Sequence, residues 1–274
     1  MKLYGVVNMD IVGSRKVEDR QGLQVSLNDH ISRINDKYVG ILAAPVSITL
    51  GDEWQLITGS PREAYNLIHE FQQMLWEDGF ELYAGIGIGE LKTSVSDDIR
   101  KMDGPCFHAA RYAINIAKNG DKLKNRYNLN KLNRVFLLSG DISEKFGPDI
   151  LDFYYNSKGR YNEPVLQEIA AAADIRASED EKDLLLEKFM LERTVNLIIE
   201  NNEILKARMT KKQREIYISY SKQGSYRKII NTEEFRQETI GGISQKLNSA
   251  SYFTIQRNHH MVAALLNTYS NMGG

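Results

Sequence analysis

The 274-residue chain has little cysteine, few prolines and almost no net charge. Its single cysteine, Cys106, excludes an intrachain disulfide and fits a reducing compartment. No apolar run reaches the roughly 18 residues that a membrane-spanning helix needs, and the amino terminus shows no signal peptide. A formal net charge of −1 gives no overall attraction to nucleic acid or to membranes. We therefore expect a cytoplasmic protein without a membrane partner.

The composition is that of a globular protein, with 42% hydrophobic and 26% charged residues. The length allows one large or two modest domains. Charge is nevertheless unevenly distributed, because residues 205–260 hold 11 Lys and Arg against 4 Asp and Glu, a net of +7 that leaves −8 for the remainder. A basic segment of this kind indicates either a polyanionic partner or a solvated basic face.

The first half of the chain shows the element order β-α-β-β-α-β. Predicted strands cover 3–9, 44–50, 54–58, 80–89, 134–138 and 150–155, and predicted helices cover 19–38 and 60–79 and begin near Asp103 and Asp141. The glycines of strand 80–89 indicate that something approaches its backbone closely. The order predicts an α/β (α+β) fold with a ferredoxin-like βαββαβ palm domain over residues 1–172.

The second half, residues 173–274, is predicted to be an all-helical domain. A long amphipathic helix over 179–206 is followed by helices near 210–221, 239–247 and 251–267. The last two form a helix-turn-helix candidate, with Tyr252, Thr254 and Arg257 placed to reach phosphates or base edges of DNA. The alternative is a plain helical cap or a dimerisation element.

Two acidic turns carry the strongest chemical signal. Asp10 ends the first strand, and Asp52 lies at the turn of the following hairpin. If these strands are neighbours, the two carboxylates can share one hard cation, Mg²⁺ or Mn²⁺, with the Ile11 carbonyl and Glu53 as further oxygen donors. The alternative is structural: Asp10 caps a loop, and Asp52 and Glu53 are ordinary turn acids.

Phosphate-binding groups are predicted beside these acids. Backbone N–H groups around Gly13 and Ser14 can meet phosphate oxygens at a helix N-terminus, and Arg15 lies next to them. Arg111 can offset phosphate charge, or it can form an ion pair with Asp103 or Asp10. Together the groups suit a metal-bound nucleoside triphosphate.

Four short motifs resemble those of the bacterial SatD family and, more distantly, those of the palm of class III nucleotide cyclases. They are Asp10-Ile11-Val12-Gly13-Ser14-Arg15, Gly51-Asp52-Glu53, Gly85-Ile86-Gly87-Ile88-Gly89 and the stretch from Asp103 to Arg111. The hairpin Leu50-Gly51-Asp52-Glu53-Trp54 is also similar to the Gly-Gly-Asp-Glu-Phe hairpin of diguanylate cyclases. The resemblance covers about the first 150 residues at motif level, and the SatD likeness extends to Thr210-Lys211-Lys212-Gln213.

The resemblance implies a catalytic set of Asp10, Asp52 and Arg111, with Mg²⁺ or Mn²⁺ on the aspartates. It also implies a homodimer and conversion of a nucleoside triphosphate to a cyclic nucleotide and pyrophosphate. Two positions depart from the cyclase pattern: Phe107 stands where cyclases place an Asn, and Ile48 stands near their purine-reading Lys. A second hypothesis is a nucleotide-sensing, DNA-binding transcriptional regulator with an inactive palm, and a third is a partner-binding module with a relic palm.

Overall fold

The computed structural model describes residues 2–118, 129–146 and 179–272. Its centre is a mixed five-stranded sheet with the order β2-β3-β1-β4-β5. The strands are β1 (Tyr4–Ile11), β2 (Leu42–Leu50), β3 (Glu53–Thr58), β4 (Leu82–Gly89) and β5 (Val135–Ser139). Strand β1 pairs antiparallel with both β3 and β4, and β5 extends the sheet parallel to β4. This α+β sheet confirms the predicted βαββαβ order; the strand predicted at 150–155 lies outside the described residues.

Helices cover the sheet and make up the described C-terminal region. Those of the first half are α1 (Arg20–Lys37), α2 (Ala64–Glu77), α3 (Pro105–Lys118) and α4 (Gly140–Phe146). Those of the second half are α5 (Glu179–Ala207), α6 (Lys211–Gln223), α7 (Tyr226–Ile230), α8 (Ile240–Ser249) and α9 (Tyr252–Asn271). Within the described ranges, no helix combines the length and the apolar character needed to cross a membrane. Helix α7 was not predicted from the sequence.

One face of the sheet packs on α1, α2 and the C-terminal helices. Its core joins residues of β1 and β3, such as Met9 and Trp54, to apolar residues of the two flanking helices. Helices α5 and α9 add Val195, Ile199, Val262, Leu266 and Tyr269 to the same buried cluster. Much of the C-terminal helical region is therefore fixed to the sheet by apolar burial. The predicted boundary at 172/173 falls outside the described residues and stays a prediction.

Helix α3 lies directly on the other face of the sheet. A Cβ added to Gly85 would stand 2.1 Å from the backbone nitrogen of Ile114, and one added to Gly87 would stand 2.0 Å from the carbonyl oxygen of Cys106. Only residues without a side chain allow two backbones to approach this closely. The close approach predicted for the glycine-rich strand is therefore that of α3.

Side chains of α5 satisfy the outer edge of β5. The Leu137 N–H donates to Asn196 Oδ1 at 2.9 Å, and Asn196 Nδ2 donates to the Leu137 carbonyl at 2.8 Å. The Ser139 N–H donates to Glu192 Oε2 at 2.8 Å. A buried strand edge needs such partners, because an unpaired backbone group costs free energy away from water.

A buried polar cluster joins α2 to α5. The ammonium of Lys206 contacts Glu203 Oε1 at 2.6 Å and Gln72 Oε1 at 2.7 Å. Glu203 also accepts hydrogen bonds from Tyr65 at 2.9 Å and from Gln72 Nε2 at 2.8 Å. Each charge in this cluster therefore has a partner, as burial requires.

Two buried histidines extend the cluster toward α6 and α9. The rings of His69 and His259 stack with centroids 4.5 Å apart. His69 Nε2 lies 2.8 Å from the Tyr217 hydroxyl, and His259 Nδ1 donates to Asn66 Oδ1 at 3.1 Å. Burial, with the nearby Lys206, lowers the pKa of His69 well below 6.5, and burial with His69 does the same for His259. Both rings are therefore neutral in the folded protein at neutral pH.

Acid is expected to destabilise the fold through these histidines. Below pH 6.5 the two histidines bind protons in the unfolded chain, whereas in the folded chain their lowered pKa values keep the buried rings neutral. Each of the two histidines should therefore lower the free energy of unfolding by about 1.4 kcal/mol per pH unit below that pH. Urea unfolding of the native chain and of His259→Gln between pH 8 and 5.5 measures this slope. Equal slopes for the two chains would contradict a depressed pKa at His259.

Candidate functional site

Strand pairing brings the predicted acids together at one end of β1 and β3. The Cα partner of Asp10 on β3 is Glu53. Leu50 pairs with Glu53 across a two-residue turn, in which Gly51 adopts a left-handed φ of 61° that favours glycine. This turn carries Asp52 to the end of β1, where its carboxyl group interacts with that of Asp10. The expected convergence of the two aspartates is therefore present.

The two aspartates have opposite pKa shifts. Burial raises the pKa of Asp10 from 3.8 to about 6, with Asp52 adding to the shift and Lys118 opposing it. Burial also acts to raise the pKa of Asp52, but the neighbouring Ser14 hydroxyl and Asp10 carboxyl outweigh it and hold that pKa below 3.8. Close carboxylates behave in this way because two like charges resist ionising together. As the pH falls, Asp10 is therefore protonated before Asp52.

Two cations from α3 neutralise part of this acidic cluster. Lys118 pairs with Asp10 and, at 2.6 Å, with Glu53 Oε1. Arg111 donates to Glu53 Oε2 at 3.0 Å, so its acidic partner is Glu53 and not Asp103 or Asp10, the two alternatives considered from the sequence. Asp103 instead pairs with His108 at 3.0 Å. Burial would raise the pKa of Glu53, but Lys118 and Arg111 hold it below its usual value.

The oxygen donors of the cluster suit a hard divalent cation. Asp52 Oδ2 is buried and, within the described ranges, has no hydrogen-bond partner. No group of three His, Cys, Asp or Glu side chains with metal-site geometry occurs among residues 2–118, 129–146 and 179–272. Mg²⁺ nevertheless binds proteins through one or two carboxylates, with water and phosphate completing its shell. Asp10 and Asp52 fit that donor set; the Ile11 carbonyl and Glu53 stay predicted additional ligands.

The loop after β1 differs from the predicted phosphate cradle at a helix N-terminus. Gly13 has a φ of 71°, and Ser14 begins a turn of 3-10 helix only three residues long. Helix α1 begins later, at Arg20, with Asp19 as its N-cap. Ser14 is buried, and its hydroxyl is hydrogen-bonded to the Asp52 carboxyl group, whereas Arg15 is exposed. Phosphate binding by Gly13, Ser14 and Arg15 stays a prediction, without a long helix at this point to support it.

A family model agrees with the motif resemblance to the SatD family. Residues 4–136 match the model of the SatD family. This segment includes the whole acidic cluster and its two cations. No curated protein matches the chain. Among solved structures, the chain is similar to the dimeric guanylyl cyclase domain of the RhoGC fusion protein from the aquatic fungus Blastocladiella emersonii, at 16% identity over 41% of this chain and 73% of that one, with a TM-score of 0.30.

An open cavity of about 540 Å³ adjoins the acidic cluster within residues 4–136, the segment that matches the family model. Arg111 links the two, since it lines the cavity and binds Glu53. Asn8 and Gln55 form the cavity floor on the same sheet face as Asp10, and their side chains are hydrogen-bonded to each other. Asn8 Nδ2 is buried and has no partner within the described ranges. The cavity therefore offers amide groups beside a cluster of charges.

The predicted DNA-binding residues lie in the first turns of helix α9, outside residues 4–136. Tyr252 packs edge-on against the Tyr217 ring with centroids 4.7 Å apart, so much of its surface is used within the fold. Thr254 and Arg257 are exposed, and Arg257 Nη2 donates to the Thr254 hydroxyl at 3.4 Å. Helix α8 joins α9 through Ala250 and Ser251. DNA binding by these residues stays a prediction.

Sequence reasoning missed Lys118 and the two amides. Lys118 lies seven residues after Arg111 on α3, and that spacing returns it to the same side of a helix. The alternation along β1 and β3 likewise places Asn8 with Asp10 and Gln55 with Glu53 on one face. Both signals are present in the sequence, but they gain meaning only once α3 is known to lie over this face.

Proposed function

We propose that the protein binds a nucleoside triphosphate through a divalent cation held by Asp10 and Asp52. The observation that carries the proposal is the pair of converging carboxyl groups beside a cavity with amide groups; one of the pair has a buried oxygen without a hydrogen-bond partner in the described part of the chain. Carboxylate oxygens with phosphate oxygens form the usual environment of protein-bound Mg²⁺. The motif resemblance to the cyclase palm supports the same ligand.

In this proposal the acidic residues bind the metal and the arginine binds phosphate. Asp10 and Asp52 hold the cation, which when bound offsets phosphate charge and polarises phosphorus–oxygen bonds. Arg111 is half exposed at the cavity wall and can turn one guanidinium edge to a phosphate while the other keeps Glu53. The Ser14 hydroxyl steadies Asp52. The site therefore supplies both signs of charge that a metal-bound triphosphate needs.

The cavity suits the nucleoside part of such a ligand. Asn8 and Gln55 present amide donors and acceptors of the kind that reads the edge of a base, and Phe107 and Tyr112 add aromatic surface. Asn115 lies one helical turn beyond Arg111 and also lines the cavity. The proposal is therefore for a nucleotide whose phosphates face Arg111 and whose base faces the sheet.

Thermal unfolding with each of the four nucleoside triphosphates and Mg²⁺ or Mn²⁺ tests the proposal. At a ligand concentration of 100 times the dissociation constant, binding stabilises the fold by about 2.7 kcal/mol. One nucleotide should raise the midpoint of the native chain in a metal-dependent way, and Asp10→Asn should abolish that rise because it removes a metal ligand. Unliganded midpoints of each chain serve as the baseline.

Asp36→Asn is the matched control, since it makes the same chemical change at an exposed position of α1. It should retain the full ligand-induced rise. If no nucleotide shifts the native chain, or if Asp10→Asn keeps the shift, the proposal is wrong. If one nucleotide does bind, it is next tested in a product assay for a cyclic nucleotide and pyrophosphate, the reaction that the cyclase resemblance suggests.

A further inference from the structure

Lys118 places an internal cation on the same carboxylate that we assign to the metal. It is the last residue of α3, where the helix dipole favours a positive charge. Its ammonium pairs with Asp10 and lies 2.6 Å from Glu53 Oε1. The side chains of Lys118, Asp10 and Glu53 are only 24%, 18% and 20% exposed, so solvent screens these contacts incompletely.

The two cations of α3 are not equivalent. Among the described residues Arg111 forms its ion pair with Glu53, and it is 52% exposed, so this pair leaves both aspartates accessible. Lys118 contacts Asp10 directly, and Asp10 in turn interacts with Asp52. A divalent cation on Asp10 would therefore meet the Lys118 ammonium at contact distance, where like charges repel strongly. The metal and Lys118 would therefore compete for Asp10.

We propose that Lys118 is a tethered counter-ion that a divalent cation must displace from Asp10, an inference that rests on the proposed function of this site. Lys118 keeps Glu53 as a partner when it is displaced. Phosphate groups entering with the metal give its ammonium further negative charge to face. Lys118 therefore weakens the binding of free metal and makes the site favour a metal–nucleotide complex over the metal alone. By linkage, nucleotide raises metal affinity by the same factor that metal raises nucleotide affinity.

Mn²⁺ binding without nucleotide tests this directly. Electron paramagnetic resonance of free Mn²⁺ at pH 8, above the pKa of about 6 of Asp10, gives the dissociation constant without competition from protons. Lys118→Met should bind Mn²⁺ on the order of tenfold more tightly than the native chain, because a cation at contact distance is removed. Lys118→Arg should resemble the native chain. Lys37→Met is the control. It removes an exposed lysine of α1 that pairs with Glu70, and it should leave the Mn²⁺ affinity unchanged.

A second measurement uses the native chain and does not depend on the folding of a variant. Saturating Mn²⁺ should make Lys118 several times more reactive toward an amine-acylating reagent, because its amine leaves the Asp10 carboxylate, while Lys37 serves as the internal reference. Equal or weaker Mn²⁺ binding by Lys118→Met, or unchanged labelling of Lys118, would overturn the inference and leave the metal site standing. If neither the native chain nor Lys118→Met binds Mn²⁺ without nucleotide, the inference fails, and the metal-dependent thermal shift with nucleotide decides the proposed function separately.

Discussion

Gly87→Ala is expected to destabilise the protein strongly, because the added methyl group clashes with the backbone of α3. The new Cβ would lie 2.0 Å from the Cys106 carbonyl oxygen and 2.3 Å from the Ala110 backbone nitrogen. Both are backbone atoms of α3, so no rotamer change relieves the clash and the helix must move. Overpacking usually costs about 1–3 kcal/mol, and we expect this variant to lose about 3 kcal/mol or more. Urea unfolding at pH 8 measures the loss.

Two other glycines calibrate this effect. An added Cβ at Gly40 meets no atom within 4 Å, so Gly40→Ala should change stability by less than about 1 kcal/mol. At Gly89 the nearest atom is 3.0 Å away, and the cost should be intermediate. Equal losses for Gly87→Ala and Gly40→Ala would mean that α3 does not lie against β4. A folded Gly87→Ala chain should also bind metal and nucleotide differently, because α3 carries Arg111 and Lys118.

The sheet was predictable because its signals are local. Apolar runs and alternation marked the strands, and Gly51-Asp52 marked a hairpin that forces β2 and β3 to be neighbours. The βαββαβ order then placed β1 beside β3, which brought Asp10 to Asp52. The glycines of β4 indicated that something would approach its backbone closely, but they did not identify α3.

The electrostatics of the site could not be predicted, because they depend on where α3 ends relative to the sheet. Lys118 reaches Asp10 across 108 positions of sequence, and Arg111 reaches Glu53 across 58. A motif records residue types and spacing, but it does not record which acid a long cationic side chain meets. For the same reason the sequence predicted that Asp10 and Asp52 converge, but it did not predict the ion pairs that Lys118 and Arg111 form.

The buried cluster between α2 and α5 is a further long-range feature. Gln72 and Glu203 are 131 positions apart, and nothing near either residue in the sequence marks them as partners. Lys206 falls in an amphipathic helix, where a lysine normally faces solvent. Lys206 is buried because α5 packs on the sheet together with α9, a long-range arrangement that the local sequence does not indicate.

Lys206→Met is expected to destabilise the fold strongly. Lys206 is 2% exposed, and its ammonium holds Glu203 at 2.6 Å. Methionine fills most of the lysine volume, but within the described ranges it leaves the buried Glu203 carboxylate hydrogen-bonded by the neutral donors Tyr65 and Gln72, with the Arg134 cation as its remaining electrostatic partner. Removing one member of a buried ion pair costs about 3–5 kcal/mol, because the other charge remains uncompensated. Urea unfolding at pH 8, where the buried histidines do not contribute to the pH slope, measures the loss.

A double-mutant cycle separates the charge from the packing. Lys206→Met combined with Glu203→Gln removes both charges, and the pair should be more stable than Lys206→Met alone by about 1–3 kcal/mol. Lys37→Met breaks an ion pair of similar length, 2.9 Å to Glu70, but at a surface where such a pair contributes less than about 1 kcal/mol. If Lys206→Met costs no more than Lys37→Met, the ammonium does not hold a buried Glu203. Additive losses in the double variant would instead show that the two side chains contribute independently to packing, since a charge left without its partner produces coupling between the two positions.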